Sequence, residues 1–303
     1  MPPSRSPRLT TRFLVASSTR RTPATSDLRA LFPELTSDPE LRLRARRFLE
    51  ADDLPLLGPP VSAPSPWTDR LRGCAGLDFE MSRVLDAPFH RLVEARLSRT
   101  SLPLGLQAVR LFARAVAAAT DGIATDLDSG QVPAAEPEPE PSTFVLAHGW
   151  VGVFVSPDGD GLVRADTRGL HRFGLPEVSA RHAPLGLVHA AANLVRGLAY
   201  RLATAHHPAL RASDDHFPTT SPSATLTRCT PADVLRFWGL PAARGPSVTV
   251  RLAPADTACP DCDTALKAAP PTATPAWEWW QSQAMALPPH PRPMVPVEAP
   301  GGT

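Results

Sequence analysis

The stretch from Thr167 to Glu177 limits the possible folds of this chain more than any other. It contains two glycines, Gly169 and Gly174, followed by Pro176. Glycine permits positive φ angles and close approach of backbone, whereas proline fixes its own φ and favours extended geometry in the residue before it. A hairpin pattern precedes the stretch and an amphipathic helix pattern follows it. These features predict a packed crossing turn between a strand pair and a long helix.

Three basic side chains belong to the same stretch: Arg168, His171 and Arg172. Because glycine-rich turns can direct backbone N–H groups toward an anion, one interpretation is a small anion-binding site lined by these residues. The stretch matches none of the phosphate-loop patterns. We therefore favour the structural turn and keep the anion site as the alternative.

The flanking patterns predict an α+β fold with a mainly antiparallel sheet, covering helices, and Pro-rich linkers and tail. A Pro-Asp-Gly-Asp-Gly turn at residues 157–161 separates two strand patterns, which is typical of a hairpin. Helical apolar stripes occupy residues 101–119 and 185–205, and we expect them to share one core with the hairpin. Other predicted strands are residues 12–17, 77–84, 92–97, 123–127 and 247–252, with an edge strand at 178–181. Other predicted helices begin at Ser37 and Thr230, with a short helical segment at 263–268.

Proline distribution suggests the domain limits. The chain has 303 residues and 37 prolines, a fraction well above the usual ~5%. The Pro-rich residues 55–66 predict a linker or covering loop, giving an N-terminal segment 1–66, a core domain 67–269 and a Trp/Pro-rich tail 270–303. Alternating Glu and Pro at residues 134–142 predicts an exposed, polyproline-like segment that folding does not require.

The order of these signals resembles bacterial families that are catalogued only as domains of unknown function. The resemblance is carried by Thr-Arg-Gly-Leu at residues 167–170, Phe-Gly-Leu-Pro-Glu at 173–177, and the helix and Asp-rich turn of residues 113–131. It covers about residues 100–205, and the Pro-rich insertion at 132–143 departs from it. The resemblance implies a bacterial protein and brings with it no activity, substrate or catalytic residue.

Charge and hydropathy argue against two classes of partner. The formal net charge is +1, which gives no global field to attract nucleic acid. No apolar run approaches the ~20 residues of a membrane span. The Arg-rich first 26 residues are similar in composition to a transit peptide, but Phe13–Ala16 fits a first strand better. We therefore predict a cytoplasmic protein with no nucleic-acid or membrane partner.

Cys259-Pro-Asp-Cys262 is the sharpest chemical motif. Two thiols at this spacing can form a redox pair or supply half of a zinc site. No second Cys-x-x-Cys is present, so an incidental pair in a loop is the interpretation that we favour. Asp261 places negative charge beside the thiols, which is expected to raise the thiol pKa values.

The sequence contains two further clusters of polar residues. His206 and His207 precede Asp214-Asp215-His216, and such groups can hold metals, but their spacing is not that of a rigid site. Asp126 and Asp128 sit in a predicted turn, where aspartate commonly bonds its own backbone. We predict that these carboxylates form the turn and have no catalytic role.

Trp277, Trp279 and Trp280 in the tail are candidate interface anchors, with Trp277 and Trp280 on one helical face. The interpretation that we favour is that this segment packs back on its own domain. The sequence contains no nucleophile elbow, Walker loop or dinucleotide fingerprint. It therefore favours a non-catalytic protein without a cofactor that contacts an unidentified protein partner in an immunity-like or regulatory role. The alternative is a thiol- or zinc-dependent enzyme that uses Cys259 and Cys262.

Overall fold

A computed structural model describes residues 9–50, 56–132, 138–210, 226–256, 259, 261–262, 264–283 and 286–287. The strands in this part of the chain are β1 (Leu9–Ser17), β2 (Leu56–Leu57), β3 (Val61–Ser62), β4 (Phe89–Leu97), β5 (Gly122–Asp126), β6 (Gly152–Pro157), β7 (Leu162–Arg168), β8 (Glu177–Pro184), β9 (Thr227–Cys229), β10 (Val248–Ala255) and β11 (Ala265–Ala269). The α-helices are α1 (Thr25–Leu35), α2 (Pro39–Glu50), α3 (Thr68–Arg72), α4 (Asp78–Leu85), α5 (Leu104–Ala119), α6 (Val188–His206), α7 (Pro231–Phe237) and α8 (Ala276–Gln283). The predicted α+β class is confirmed.

The first sheet has the order β2-β4-β1-β5, with β3 also paired to β4, and its strands are antiparallel. Strand β1 lies in the middle, with Phe13 opposite Val93 on one side and Asp126 on the other. The predicted boundary near residue 66 therefore falls inside this sheet. The stretch predicted as a linker contributes β2 and β3 to its edge.

The second sheet has the order β6-β7-β8-β11-β10-β9. Its pairs are antiparallel except for β8 and β11, which are parallel and align Glu177 with Ala265. Two predictions fail here. The strand predicted at the edge, residues 178–181, is interior, and the segment predicted as helical, residues 263–268, belongs largely to β11. Pairing with β8 and β10 on both sides overrides the local propensity of this Ala-rich strand.

One hydrophobic core joins both sheets and their helices. It contains Val109 and Phe112 of α5, Val163 of β7, and Val195 and Leu198 of α6, all buried. This confirms that the hairpin and the two long helices share a core. In the part of the chain that the structure describes, no helix is both long and apolar enough to span a membrane.

Helix α4 replaces the strand predicted at residues 77–84. Val84 and Met81 pack against a second, smaller core with Leu14 and Leu127, whereas Phe79 is 65% exposed. The helical spacing of Met81 and Val84 puts both on one face, a pattern too short to be distinguished from a strand by periodicity.

The predicted helix starts are partly confirmed. Thr230 and Asp233 form a capping box at the start of α7, as the sequence predicts. Helix α2, however, is capped by Asp38 and not by Ser37, because Asp38 Oδ1 accepts the backbone N–H groups of Glu40 and Leu41 at 2.9 and 3.1 Å.

Residues 138–141 correct the expectation of an exposed, dispensable segment. Glu140 is 3% exposed and forms ion pairs with Arg110 and Arg114. Its backbone N–H donates to Leu35 O at 2.7 Å, and its carbonyl accepts from Thr36 Oγ1 at 2.9 Å. The prediction overlooked that a single acid in a Glu-Pro repeat can anchor the segment. Residues 134–137 of that expectation lie outside the described part.

Candidate metal centre

The connection between β7 and β8 forms one half of the candidate site. Gly169 has a φ of 111°, and a Cβ there would lie 2.3 Å from Trp150 O, so only glycine fits. The turn that follows buries Leu170 and Phe173, which confirms the packed structural turn. The same geometry brings His171 and Glu177 together, with Nδ1 of His171 3.1 Å from Glu177 Oε1.

Glu177 is held in place by its own turn. Its Oε1 accepts the backbone N–H of Gly169 at 2.9 Å, and its Oε2 accepts the hydroxyl of Thr167 at 2.8 Å. The side chain is buried. The hydrogen bonds from Thr167 and Gly169 thus fix the position of the Glu177 carboxylate without a bound ligand.

The connection between β10 and β11 brings the two cysteines to this turn. Because β8 pairs with β11 in parallel, with Glu177 opposite Ala265, the residues just before β11 lie beside the start of β8. Cys259 Sγ is 3.8 Å from His171 Nδ1, and Cys262 Sγ is 3.6 Å from Glu177 Oε1. One ligand atom from each of these four residues lies within 4.8 Å of all the others.

These separations are close to those of a tetrahedral zinc site. Zinc bonds of about 2.3 Å to sulfur and about 2.0–2.2 Å to nitrogen or oxygen place tetrahedral ligand atoms about 3.3 Å apart for an N–O pair and about 3.6 Å apart for an S–N or S–O pair. The observed distances are 3.1 Å for His171–Glu177, 3.8 Å for Cys259–His171 and 3.6 Å for Cys262–Glu177. The donor set of two sulfurs, one nitrogen and one oxygen suits zinc.

Asp128 supports His171 from the opposite side of the ring. Its Oδ1 is 3.3 Å from His171 Nε2, and its Oδ2 accepts the backbone N–H of Arg12 at 2.9 Å. A carboxylate at one ring nitrogen fixes the tautomer that leaves the other nitrogen to a metal. Asp128 follows β5, so this contact connects the candidate centre to the first sheet.

Arg172 is fully buried between the two sheets. It forms a bidentate ion pair with Asp126, and its Nη2 is 3.3 Å from Asp128 Oδ2. Asp126 Oδ1 also accepts the backbone N–H groups of Asp128 and Ser129. The predicted turn role is confirmed for Asp126, whereas the carboxylate of Asp128 accepts from the distant Arg12 N–H. Both carboxylates also balance the charge of Arg172.

The geometry does not support an anion site at Arg168, His171 and Arg172. Arg168 donates to Gly73 O at 2.9 Å and lies over the ring of Phe154 at 4.3 Å. His171 and Arg172 face carboxylates. A pocket for an anion would need unmatched positive charge, whereas here these two cations are surrounded by acids.

Asp261, between the two cysteines, binds the first half of the chain. It forms ion pairs with Arg12 of β1 and Arg70 of α3. These cations offset the carboxylate that was expected to raise both thiol pKa values. The cysteine loop is therefore anchored to the first sheet through Asp261, whose carboxylate also lies within 4.8 Å of ligand atoms of Asp128 and His171.

Burial and hydrogen bonding shift the pKa values of the cluster in opposite directions. Hydrogen bonding to Cys262, followed by that to His171, lowers the pKa of Cys259 to about 5. Burial alone would lower the pKa of His171, but its bonds to Asp128, Cys259 and Glu177 raise that pKa to about 11. The same contact with Cys259, together with burial, raises the pKa of Cys262. The expected rise for both thiols is thus wrong for Cys259, whose thiolate faces an imidazolium.

The remaining predicted site residues lie elsewhere. Trp279 and Trp280 are buried, and Trp280 Nε1 donates to Arg181 O of β8 at 3.2 Å. Trp277 is 57% exposed, so of the three tryptophans it is the one available as an interface anchor. His207 bonds Phe173 O at 2.7 Å, while residues 214–216 lie outside the described part.

Sequence reasoning singled out three of the five residues at this centre, but for different reasons. His171 was a candidate only for the alternative anion site, and Cys259 and Cys262 were interpreted as a loop pair, with a zinc or redox role as the alternative. Glu177 and Asp128 were missed as site residues, although both belong to the quoted motifs. No family model matches the chain, and no curated protein or solved structure matches it.

Proposed function

We propose that this chain is a zinc-binding protein in which one Zn²⁺ is held by Cys259, Cys262, His171 Nδ1 and Glu177 Oε1. The observation that carries the proposal is that three of the six ligand-atom separations approach those of a tetrahedral zinc site, while all six lie within 4.8 Å. The donors come from two connections that are far apart in sequence. The shortest separation between them, from Glu177 to Cys259, is 82 residues. A metal here cross-links the two connections.

The charge of the cluster supports a divalent cation. Two thiolates and the Glu177 carboxylate give three negative charges once zinc has displaced the thiol protons. The neutral His171 is supported by Asp128, as metal-bound histidines usually are. A metal with four protein ligands forms a closed site, and closed zinc sites stabilise folds. The proposed role is therefore a structural cross-link rather than a catalytic centre.

Metal analysis of the purified full chain tests this proposal. We expect one zinc per chain for the wild type, and zinc loss for Cys259→Ser and Cys262→Ser, because serine replaces a thiolate ligand. Cobalt substitution is expected to give the visible absorption of a tetrahedral thiolate site. Cys74→Ser is the matched control and is expected to keep its zinc, since Cys74 lies outside the cluster. A wild-type chain that contains no zinc and does not take it up from solution would refute the proposal.

A second candidate, contact with a protein partner, is favoured by Trp277. This large aromatic side chain is 57% exposed on α8, and exposed tryptophans are frequent interface anchors. We expect a stoichiometric partner to copurify from the native cell with the wild type and to be lost with Trp277→Ala. Phe79→Ala, a second exposed aromatic on α4, is the control that keeps the partner. Equal recovery with Trp277→Ala would remove this surface from consideration.

A further inference from the structure

We propose that a hydroperoxide oxidises the Cys259–Cys262 pair to a disulfide and thereby releases the zinc. The inference rests on the proposed zinc centre and adds to it a regulation by oxidants. Two of the four ligands are sulfurs separated by only two residues, and the N–H of Cys262 donates to Cys259 O at 3.3 Å. Cysteines at this spacing form a disulfide without large backbone movement.

The other two ligands keep their positions without the metal. Glu177 is fixed by Thr167 and Gly169, and His171 by Asp128. The cysteine loop itself is anchored through Asp261, which pairs with arginines of β1 and α3. Loss of zinc therefore leaves a folded protein with half of its site intact. Reduction of the disulfide restores the two thiolate ligands, so the release of zinc is reversible.

A small oxidant can reach the sulfur of Cys259. This residue and Glu177 line a cavity of about 230 Å³ whose wall also includes Phe154 and Arg168. The cavity is larger than hydrogen peroxide, which has only two heavy atoms. Cys229, by contrast, is fully buried and contacts Leu194 O. Cys259 therefore lies where a small oxidant can approach the pair, whereas Cys229 does not.

The chemistry balances with hydrogen peroxide as the oxidant and two protons from solvent. The thiolate of Cys259 attacks one peroxide oxygen, the O–O bond breaks, and hydroxide leaves and takes a proton to give water. The thiolate of Cys262 then attacks the sulfenic sulfur of Cys259, and the second oxygen leaves as water after protonation. The two sulfurs lose two electrons in total, peroxide gains them, and zinc departs as Zn²⁺ with its oxidation state unchanged.

Titration of the zinc-loaded full chain with hydrogen peroxide tests the inference. A chromophoric chelator measures released zinc, and thiol titration after denaturation counts the free cysteines. We expect one zinc released and two thiols lost per chain, with both restored by a dithiol reductant and added zinc. Trypsin cleaves after Arg251 and Lys267, so both cysteines lie in one peptide, which is expected to lose the mass of two hydrogens.

Controls separate the two proposals from each other. Cys74→Ser is expected to release zinc as the wild type does. In the wild type, a disulfide between Cys74 and either Cys259 or Cys262 would overturn the inference. Zinc that is bound initially but retained under excess peroxide would overturn the inference and leave the zinc centre standing. If the protein contains no zinc before peroxide is added and takes up none from solution, the proposed function is refuted, and so is its regulation by oxidants.

Discussion

A Val195→Asp variant is expected to be unfolded at room temperature. Val195 is fully buried in the core that joins α5, α6 and the hairpin. Burial of a valine contributes about 1.5–3 kcal/mol, and full burial of a carboxyl group raises its pKa by up to about 3–5 units, each worth about 1.4 kcal/mol. The sum is comparable with the total stability of a domain, about 5–15 kcal/mol. Circular dichroism and chemical denaturation measure the loss.

The same substitution at Val188 is the matched control. Val188 starts α6 and is only partly buried, and an acid in the first turn of a helix is favoured by the helix dipole. Val188→Asp is therefore expected to fold and to melt close to the wild type. A soluble Val195→Asp protein with a cooperative transition near that of the wild type would show that the core is elsewhere.

The pH dependence of the Val195→Asp variant provides an independent check. The introduced carboxyl group has a higher pKa in the folded than in the unfolded state, so the folded state binds more protons. Stability relative to the wild type is then expected to fall as the pH rises above the unfolded value of about 3.9 and to be best preserved below it. Circular dichroism of both proteins at several pH values, which follows the folded fraction, tests this sign.

Local patterns predicted the elements that carry their own signal. Helices α5 and α6 have long apolar stripes, and the start of α7 has a Thr-Asp capping box, so each was found from sequence. Strand β11 was not, because an Ala-rich segment has no strong local preference and its pairing with β8 decides its conformation. The prediction for α4 was wrong for a related reason, because eight residues are too few for the helical period to be distinguished from a strand pattern.

The candidate centre could be predicted only in pieces. The Cys-x-x-Cys spacing indicated at most half a zinc site, and because the sequence has no second Cys-x-x-Cys, the pair was interpreted as an incidental loop pair. The structure instead supplies His171 and Glu177, which lie 88 and 82 residues before Cys259. Their approach depends on the parallel register of β8 and β11, a long-range pairing that a single sequence does not encode in any local pattern.

Asp128 and Asp261 connect the centre to the rest of the fold. Asp128 lies at the end of β5 and contacts His171, while Asp261 lies between the cysteines and pairs with Arg12 of β1. The proposed metal ligands belong to the second sheet and its loops, whereas Asp128 and Asp261 contact the first sheet. The charge balance between the two sheets therefore affects both the stability of the fold and the geometry of the proposed ligands. Arg172 provides the positive charge that balances Asp126 and Asp128.

Replacing Arg172 by alanine is expected to lower the free energy of unfolding by about 3–5 kcal/mol, because it leaves two buried carboxylates without their cation. The arginine is fully buried and paired bidentately with Asp126, and it lies 3.3 Å from Asp128. At roughly 2–4 °C per kcal/mol for a large domain, the melting temperature is expected to fall by about 6–20 °C. Differential scanning calorimetry of the zinc-free proteins measures the change separately from metal binding.

Two further variants test whether the cause is uncompensated charge. Arg168→Ala removes an arginine from the same stretch that is only half-buried and contacts Phe154 and Gly73 O, so its cost is expected to be about 1 kcal/mol. The double variant Arg172→Met with Asp126→Asn is expected to be more stable than Arg172→Met alone, since it removes one stranded carboxylate. If Arg172→Ala were no more destabilising than Arg168→Ala, the buried ion pairs would not hold the two sheets together. Asp128 would then orient the ring of His171, a proposed metal ligand, without a contribution from Arg172.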